Sequence, residues 1–251
     1  MRCDVLVVGG GPVGCTAAAS MAADLDVKVV EEHPRIGEPV QCAGLVTPRV
    51  VEMVSAQATV LNSIDGAYLH FPGGRMLTLQ GNDIKALVVD RGAFDRRCCD
   101  LAIKAGAEVL TSRPCTAVER TSEGFITSSE DEIQSKALLA ADGYRSTVAK
   151  QLELGSAREI VRGIEMDLRF KVDDQRKVQV FLGQRVAPGF FAWAIPCGDL
   201  TRVGLCVSPG SGTPQRYLNE LLERQGWSQA EKVRTYSGVI PLGHLNRTFT
   251  E

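Results

Sequence analysis

Three glycines near the start of the chain have the spacing of a phosphate-binding turn. They are Gly9, Gly11 and Gly14, in the pattern Gly-x-Gly-x-x-Gly. In such a pattern the first glycine permits a tight turn, the second lets the backbone approach a pyrophosphate, and the third lets a helix pack closely against a strand. The N-terminus of that helix offers free N–H groups and a partial positive charge to the phosphates. The spacing therefore predicts that the chain binds a dinucleotide.

The elements around the glycines are those that a dinucleotide-binding turn requires. The apolar run 5–8 predicts a strand buried on both faces of a parallel sheet, and the alanine-rich tract after Gly14 predicts a helix. A second predicted strand, 27–30, is followed by Glu31, whose carboxylate can accept hydrogen bonds from a ribose diol. Because that charge would repel a 2′-phosphate, we expect FAD or NAD rather than NADP. The alternative is a structural βαβ unit with an empty turn.

The composition is that of an ordinary globular protein. The chain has 251 residues, of which 44% are hydrophobic and 23% charged, and its formal net charge is -2. This suits one or two domains with a sizeable core, and there is no basic surplus to indicate nucleic-acid binding. No apolar run approaches the length of about 20 residues that spans a bilayer. The eight cysteines include no C-x-x-C pair, so we expect a reducing cytoplasm and no metal site; the three histidines are assigned no role.

The remaining pattern predicts an α/β fold with an inserted sheet domain. The irregular segment 32–48 is apolar at several positions and is expected to lie over the bound cofactor. From Arg158 onward, long alternating strands predict an antiparallel sheet with one buried face. Together with the flavoprotein motifs given next, this pattern implies a Rossmann-like FAD-binding βαβ domain into which an α+β substrate domain is inserted. The predicted bounds are 1–60 and 86–155 for the FAD-binding domain, 61–85 and 156–240 for the substrate domain, and 241–251 for the start of the return to the first.

Longer motifs resemble one family of flavoproteins. The glycine turn, together with VVDRGAFDRR and AADGYRSTV, resembles the group that includes p-hydroxybenzoate hydroxylase-like enzymes. Within that group the chain most resembles the geranylgeranyl reductases of archaea and phototrophs. GEPVQCAGL resembles their G-x-P-V-x-C-x-G-L segment, and PGFFAWAIP at 188–196 resembles their P-x-x-Y-x-W-x-F-P motif. The resemblance covers essentially the whole chain.

The resemblance implies roles for individual residues in holding FAD. It sets Cys42 and Ala43 beside the isoalloxazine ring, where the Cys42 thiol could orient the flavin or donate a proton to the substrate. Its other assignments are the pyrophosphate for Gly9, Gly11 and Gly14, the adenosine ribose for Glu31, a cofactor contact for Arg91, the adenine for the backbone of Cys115, and the approach to the flavin for Asp142 and Gly143. Each has a plainer alternative: a small apolar filler for Cys42, a solvated helix-start side chain for Arg91, an ordinary strand residue for Cys115 and a strand-ending turn for Asp142 and Gly143.

The aromatic motif is expected to line the substrate site, and it departs from the family pattern. Phe191, Trp193 and Pro196 would line an isoprenoid pocket, although aromatic residues that alternate along a strand also occur in an ordinary core. Phe191 replaces the tyrosine of the motif and Ile195 its phenylalanine, which keeps the site apolar but removes a hydroxyl. The family's second flavin motif, G-D-A-A/G, is missing at the C-terminus, and Gly198-Asp199, in a predicted hairpin turn, does not replace it. We therefore expect the N-terminal portion of a longer enzyme.

The function that the resemblance implies is hydrogenation of isolated C=C bonds. The substrates would be geranylgeranyl or polyprenyl groups of membrane-lipid, quinone or pigment precursors, reduced by hydride from flavin N5. The electron donor, NAD(P)H or ferredoxin, is left open. We expect a cytoplasmic protein that contacts the inner face of the membrane peripherally, with no transmembrane segment. Two alternatives stand beside it: a flavin-dependent monooxygenase or halogenase of the same fold, and a catalytically incomplete nucleotide-binding fragment.

Overall fold

A computed structural model describes residues 1–155 and 157–243 of the chain. They form two compact units, which we call unit 1 (mainly Met1–Pro39 and Gly92–Ala157) and unit 2 (Val40–Arg91 and Arg158–Leu242). The elements in chain order are β1 Arg2–Val8, α1 Pro12–Met21, β2 Val27–Val30, β3 Leu45–Val46, α2 Pro48–Met53, a 3₁₀ helix Gln57–Thr59, β4 Val60–Ile64, β5 Gly66–His70, β6 Met76–Gln80, β7 Ala86–Val89, α3 Arg91–Ala105, β8 Glu108–Leu110, β9 Ala117–Thr121, β10 Gly124–Ser128, β11 Glu132–Ala140, α4 Thr147–Gln151, β12 Glu159–Arg169, β13 Lys177–Leu182, β14 Phe191–Cys197, β15 Leu200–Val207, α5 Pro214–Arg224 and β16 Glu231–Leu242.

Unit 1 is built on one sheet whose strand order is β8-β2-β1-β11-β10-β9. The first four strands run parallel, and β10 and β9 are antiparallel additions at one edge. Leu6 and Val7 on β1 are both fully buried, as expected of a central strand covered on its two faces. The chain order reverses at β1, which has β2 on one side and β11 on the other. The predicted Rossmann-like fold is confirmed, and in such sheets ligands bind at this reversal point.

Unit 2 is built on a larger sheet of order β16-β12-β15-β14-β13-β5-β6. The amphipathic helix α5 covers one face, where Leu218, Leu221 and Leu222 pack against Leu168 and Leu205. The predicted antiparallel sheet is confirmed for every pair except β13 and β5, which are parallel. That exception arises because the hairpin β5–β6 comes from an earlier stretch of the chain and joins the sheet beside β13.

The second face of the unit 2 sheet is also partly covered. A small sheet of order β3-β7-β4 packs there, with Ile64 and Val88 in one buried cluster with Ile195 of β14. Ala43, from the irregular segment after Glu31, packs against the same cluster. This face is therefore not a solvated one, and the walls that the small sheet and the segment provide create the possibility of a cavity.

The contact-based units differ from the predicted domain bounds in two stretches. Residues 40–60 and 86–91 lie in unit 2, whereas the prediction assigns them to the FAD-binding domain. The physical reason is the small sheet, whose strands come from these stretches and pack within unit 2. The division of the chain by function stays a prediction. Most of the predicted return segment, together with His244, lies outside the described residues.

Leu218→Ala should destabilise unit 2 strongly. The side chain is fully buried under α5, so its truncation removes apolar contacts and leaves a cavity. We expect the free energy of unfolding in urea to fall by about 2 to 5 kcal/mol. Leu77→Ala is the matched control, because Leu77 is 48% exposed on β6; its loss should stay under about 0.5 kcal/mol. Equal losses for the two variants would contradict the packing described.

Candidate functional site

The glycine turn of unit 1 brings three strand ends together. Gly9 has φ +108, a value that favours glycine, and a Cβ there would collide with the carbonyl oxygen of Ala141. Its N–H donates to the Val30 carbonyl at 2.8 Å, and the Ala141 N–H donates to the Val8 carbonyl at 2.8 Å. The carboxyl ends of β1, β2 and β11 therefore meet at Gly9, which is where the order of the sheet reverses.

The other two glycines of the turn differ in what surrounds them. A Cβ on Gly14 would collide with the Gly9 carbonyl oxygen, so this position is closed by the packing of α1 against β1. A Cβ on Gly11 would meet nothing within 4 Å. Gly11 is the N-cap of α1 and Pro12 is its first residue, so the open space lies at the N-terminus of the helix. This space is positioned for a phosphate group.

Glu31 is held beside the turn by three donors. Its Oε2 accepts from the Gly10 N–H at 2.8 Å, and its Oε1 accepts from the His33 N–H at 2.9 Å. The Nδ1 of His33 lies 2.6 Å from the same Oε1. The sequence analysis assigned no role to His33, and its spacing of two residues from Glu31 gives no signal in a sequence. The carboxylate is therefore fixed at the edge of the turn before any ribose arrives.

Asp142 carries a buried oxygen with no hydrogen-bond partner in the described part of the chain. Its Oδ2 accepts from the N–H groups of Thr147 and Val148, at 2.8 and 3.2 Å, and so caps α4. Its Oδ1 is the oxygen without a partner. Gly143, at φ +75, has nothing within 4 Å of its would-be Cβ. A ligand group that donates to Oδ1 would satisfy an otherwise costly buried acceptor.

Two further residues of the predicted FAD site, Cys115 and Arg91, are half-buried. Cys115 is half-buried, and burial, with a smaller contribution from the charge of Asp142, raises the pKa of its thiol to about 11. That thiol is therefore neutral at physiological pH. Arg91 is the first residue of α3 and is half-buried. Their predicted contacts with the cofactor stay predictions.

The groups in unit 1 fit a dinucleotide. The open space over Gly11 suits a pyrophosphate. The unpartnered Oδ1 of Asp142 and the fixed carboxylate of Glu31 can accept hydrogen bonds from sugar hydroxyls. No cluster of three or more His, Cys, Asp or Glu side chains among residues 1–155 and 157–243 could hold a metal ion.

Unit 2 contains a cavity of about 430 Å³ on the second face of its large sheet. This volume lies in the range of small-molecule sites, roughly 300 to 1,000 Å³. The walls come from strands β12, β14 and β16 and from the segment at 41–45, and most of the lining side chains are apolar. The lining includes Cys42, Ala43, Phe190, Phe191, Trp193 and Glu165.

Strand β14 presents its aromatic residues to this cavity. Phe191 and Trp193 line it, whereas Ala192 and Ala194, at the alternate positions, are buried in the core under α5. The rings of Phe191 and Trp193 meet edge to face at 6.1 Å between centroids. Pro196 lies farther along the strand, buried, and its carbonyl accepts from Asn62 Nδ2 at 3.0 Å.

The segment that carries Cys42 forms one wall of the cavity. The Cys42 thiol is exposed, and its sulfur accepts the N–H of Gly44 at 3.5 Å. The carbonyl of Ala43 accepts from Arg202 Nη1 at 2.8 Å, and the same Nη1 donates to the Val89 carbonyl at 3.1 Å. This wall is thus tied to strand β15 through a buried guanidinium.

Glu165 is the functional candidate that the sequence analysis missed. Its carboxyl group lies in the cavity wall, the residue is 5% exposed, and its Oε2 accepts from Trp193 Nε1 at 2.7 Å. Burial raises the pKa of this carboxyl group to about 7. In the sequence, Glu165 and Asp167 alternate with the apolar residues of β12, a pattern typical of a solvated strand face. Only the covering of that face makes Glu165 a cavity residue.

The chain is similar to known proteins over most of its length. Residues 2–230 match the family model described as FAD binding domain. The chain is 31% identical to the digeranylgeranylglycerophospholipid reductase of Methanothrix thermoacetophila, over 100% of this chain and 69% of that protein. It is 29% identical to the protein of the same name from Methanocaldococcus jannaschii, over 99% of this chain and 68% of that protein.

Solved structures show the same fold. The structure of a geranylgeranyl bacteriochlorophyll reductase-like protein from Thermoplasma acidophilum has a TM-score of 0.87, at 25% identity, and covers 96% of this chain and 66% of that chain. The halogenase PltM in complex with phloroglucinol and FAD has a TM-score of 0.74 at 13% identity, over 95% of this chain and 60% of that chain, and shows the fold alone. The chain therefore spans about two thirds of the length of the reductase relatives it matches.

Gly11→Ala and Gly14→Ala in the full-length protein should separate cofactor binding from folding. The added methyl group of Gly11→Ala meets open space, so the melting temperature without FAD should be unchanged. It occupies the space for phosphate, so the Kd for FAD should rise by at least about tenfold, or 1.4 kcal/mol. Gly14→Ala should instead lower the melting temperature, because its methyl group collides with backbone. Flavin titration and thermal unfolding measure both; wild-type FAD affinity in Gly11→Ala would contradict the assignment.

Proposed function

Because the chain belongs to the FAD-binding-domain family, and within it to the geranylgeranyl reductases, we propose that the protein hydrogenates isolated C=C bonds of geranylgeranyl or polyprenyl groups. The substrates are membrane-lipid, quinone or pigment precursors. The observation that carries this proposal is the apolar cavity of unit 2, with aromatic residues on one wall and Cys42 and Ala43 on another. An isoprenoid chain gains free energy there by burying apolar surface.

FAD would supply the hydride, from N5 of its reduced ring. The turn of Gly9, Gly11 and Gly14 would hold its pyrophosphate and Glu31 its adenosine ribose. Arg91, Cys115, Asp142 and Gly143 keep the contacts predicted for them from the family resemblance. Electrons come from NAD(P)H or from ferredoxin, and anaerobic reduction of the bound flavin by each donor distinguishes them.

The cavity residues perform the positioning that this reaction requires. An isolated alkene has no carbonyl group to polarise, so rate enhancement depends on orientation and on exclusion of water. Phe190, Phe191 and Trp193 supply rigid apolar walls against which a flexible chain can be ordered. Phenylalanine at 191 keeps that wall apolar, without the hydroxyl of the family motif.

The proposed location follows from the substrate. None of the helices that the structure describes has both the length and the apolar character needed to cross a membrane. Because the proposed substrate is a membrane-lipid precursor, we propose that the protein takes it up through peripheral contact with the cytoplasmic side of the membrane.

The decisive experiment is an anaerobic assay with a digeranylgeranyl glycerophospholipid. The full-length protein is loaded with FAD, the flavin is reduced chemically, and the lipid is analysed by mass spectrometry. The expected product gains two hydrogens for each double bond reduced. Oxygen-dependent hydroxylation or halogenation of an aromatic substrate, with no change in the lipid, would overturn the proposal in favour of the alternative chemistry of this fold. A full-length protein that neither retains nor rebinds FAD would overturn it in favour of a non-catalytic role.

Gly238→Leu should block the cavity without disturbing the fold. A Cβ at Gly238, which lines the cavity, meets only atoms of Gln41, at 3.6 Å or more, so the backbone tolerates a side chain. We expect lipid reduction to fall by at least about tenfold, since the new side chain occupies substrate volume. FAD content should be unchanged. Thr235→Leu, an exposed position on the same strand, is the control and should keep the wild-type rate.

Cys42→Ala should slow alkene reduction and leave FAD bound. Its thiol would orient the flavin or donate the proton, and either role is lost with the sulfur. We expect turnover to fall by about 10², the lower end of the range for general acid–base catalysis. Flavin absorbance of the purified variant checks that the cofactor is retained. Turnover equal to that of the wild type would remove Cys42 from the reaction.

A further inference from the structure

Strand β12 forms one wall of the unit 2 cavity, and Glu165 is the residue of that wall that can exchange a proton. Glu165 lines the cavity and is 5% exposed, beside Gly163 and Ile164 of the same strand. Burying an ionised carboxylate in such surroundings costs free energy. The Glu165 carboxyl group is therefore expected to be neutral or to have a functional role. The reaction proposed above uses a proton, and the assignments made so far leave its source undecided.

The register of the sheet brings Trp193 to Glu165. Both residues pair with Gly204 of β15, Glu165 from β12 and Trp193 from β14. A Cβ on Gly204 would lie 2.6 Å from the indole ring, so only glycine lets the indole cross β15. The Nε1 of Trp193 then donates to Glu165 Oε2 at 2.7 Å. The carboxyl group is thereby fixed in orientation, and Oε1 is left to carry the proton.

Two glycines and a cysteine line the cavity near Glu165. Gly163 lies two residues before Glu165 on the same face of β12 and pairs with Gly238 of β16 and with Cys206 of β15. All three line the cavity. A Cβ on Gly163 would lie 2.9 Å from the Cys206 sulfur, whereas a Cβ on Gly238 would meet only Gln41, at 3.6 Å or more. An extended chain can therefore lie close to the sheet over Gly238.

The positively charged guanidinium of Arg202 forms its ion pair with Asp167, not with Glu165. Arg202 Nε donates to Asp167 Oδ1 at 3.1 Å, and its Nη1 donates to the carbonyls of Ala43 and Val89. The Tyr236 hydroxyl, on the strand facing Glu165, donates to Asp167 Oδ2 at 3.3 Å. The guanidinium is thus engaged by Asp167 and by two carbonyl groups, and Glu165 has no comparable ion pair among the described residues.

These surroundings keep Glu165 protonated to an unusually high pH. Burial raises its pKa to about 7; the Trp193 hydrogen bond and the charge of Arg202 oppose the rise, and the charge of Asp167 adds to it. The neighbouring thiol does not compete as an acid, since burial, helped by the charge of Glu165, raises the pKa of Cys206 to about 12. A carboxyl group of this kind is partly protonated at neutral pH and can release its proton within one turnover.

We propose that Glu165 is the proton donor to the alkene, which assigns it as a catalytic residue and Trp193 as its positioning residue. This rests on the proposed function. One alkene carbon would form a C–H bond with the hydride that reduced flavin supplies, and the flavin would lose those two electrons. The π electron pair forms the second C–H bond with the Glu165 proton. The resulting carboxylate regains a proton from water, which restores the acid. Cys42 is then left with the orientation of the flavin.

Glu165→Gln in the full-length protein tests the assignment. The amide keeps the size of the side chain and an acceptor for Trp193 but has no acidic proton. Turnover on the digeranylgeranyl lipid should fall by about 10² to 10⁴, the usual contribution of a general acid. Reduction of the bound flavin by its donor, which needs no substrate proton, should be unchanged. The control is Glu159→Gln, an exposed glutamate of the same strand, and it should keep the wild-type rate.

The dependence of turnover on pH is a second test of Glu165 as an acid. The acid form of Glu165 is required, so wild-type turnover should be full at low pH and fall as the pH rises through about 7. Cys42→Ala should keep this fall at a lower absolute rate. In Glu165→Gln the residual rate should no longer show it.

A readout that needs no turnover is the fluorescence of Trp193. The 251 residues contain two tryptophans, and Trp227→Phe leaves Trp193 as the reporter among them. In that background the emission should titrate with a midpoint near 7, because ionisation of Glu165 changes the charge at the indole N–H. Adding Glu165→Gln should abolish the titration.

The outcomes separate this inference from the proposed function. Lipid reduction by the wild type, with Glu165→Gln equally fast, would overturn the role of Glu165 and leave the function standing. A midpoint below about 5, near the reference pKa of glutamate, would also overturn it, because the group would be ionised at neutral pH. A wild type that reduces no isoprenoid alkene would overturn both.

Discussion

The backbone of unit 1 can close around its turn only because two positions have no side chain. At Gly9 the end of β1 comes so near Ala141, at the end of β11, that a Cβ would overlap a carbonyl group, and at Gly14 the helix approaches Gly9 in the same way. Without these approaches the N-terminus of α1 could not stand over the strand ends. The placement of Glu31 and Asp142 at the rim depends on the same closure, since each follows a strand that ends there.

The same constraint operates for a different purpose in unit 2. Gly204 leaves room for an indole to cross a strand, Gly163 leaves room for the Cys206 sulfur, and Gly238 leaves open space in the cavity wall. In unit 1 the glycines let one backbone segment approach another. In unit 2 they let an indole ring reach a carboxyl group and leave space in the cavity wall. A buried polar group without a hydrogen-bond partner costs free energy in an apolar wall. The Trp193–Glu165 hydrogen bond gives each of these two side chains a partner, which is why the wall can contain them.

The sequence predicted the parts of the structure that are encoded locally. The glycine turn, its flanking strand and helix, and the amphipathic helix with Leu218 each follow from neighbouring residues, and the structure contains them. It did not predict the parallel pairing of β5 with β13, because nothing local specifies which distant strand a hairpin joins. Glu165 was missed for a related reason: its alternation with apolar residues indicated a solvated face, and that face is covered by strands from 45–89.

Arg202 also determines how the cavity wall behaves before a ligand arrives. Its guanidinium holds the carbonyls of Ala43 and Val89 against a central strand, so the wall is ordered when the protein folds. The conformational entropy of that segment is therefore already lost in the free protein, and an entering flexible chain has only its own freedom to lose. A rigid cavity selects among flexible ligands by their shape. Differences in the length or branching of the ligand chain would then change its residence time in the cavity.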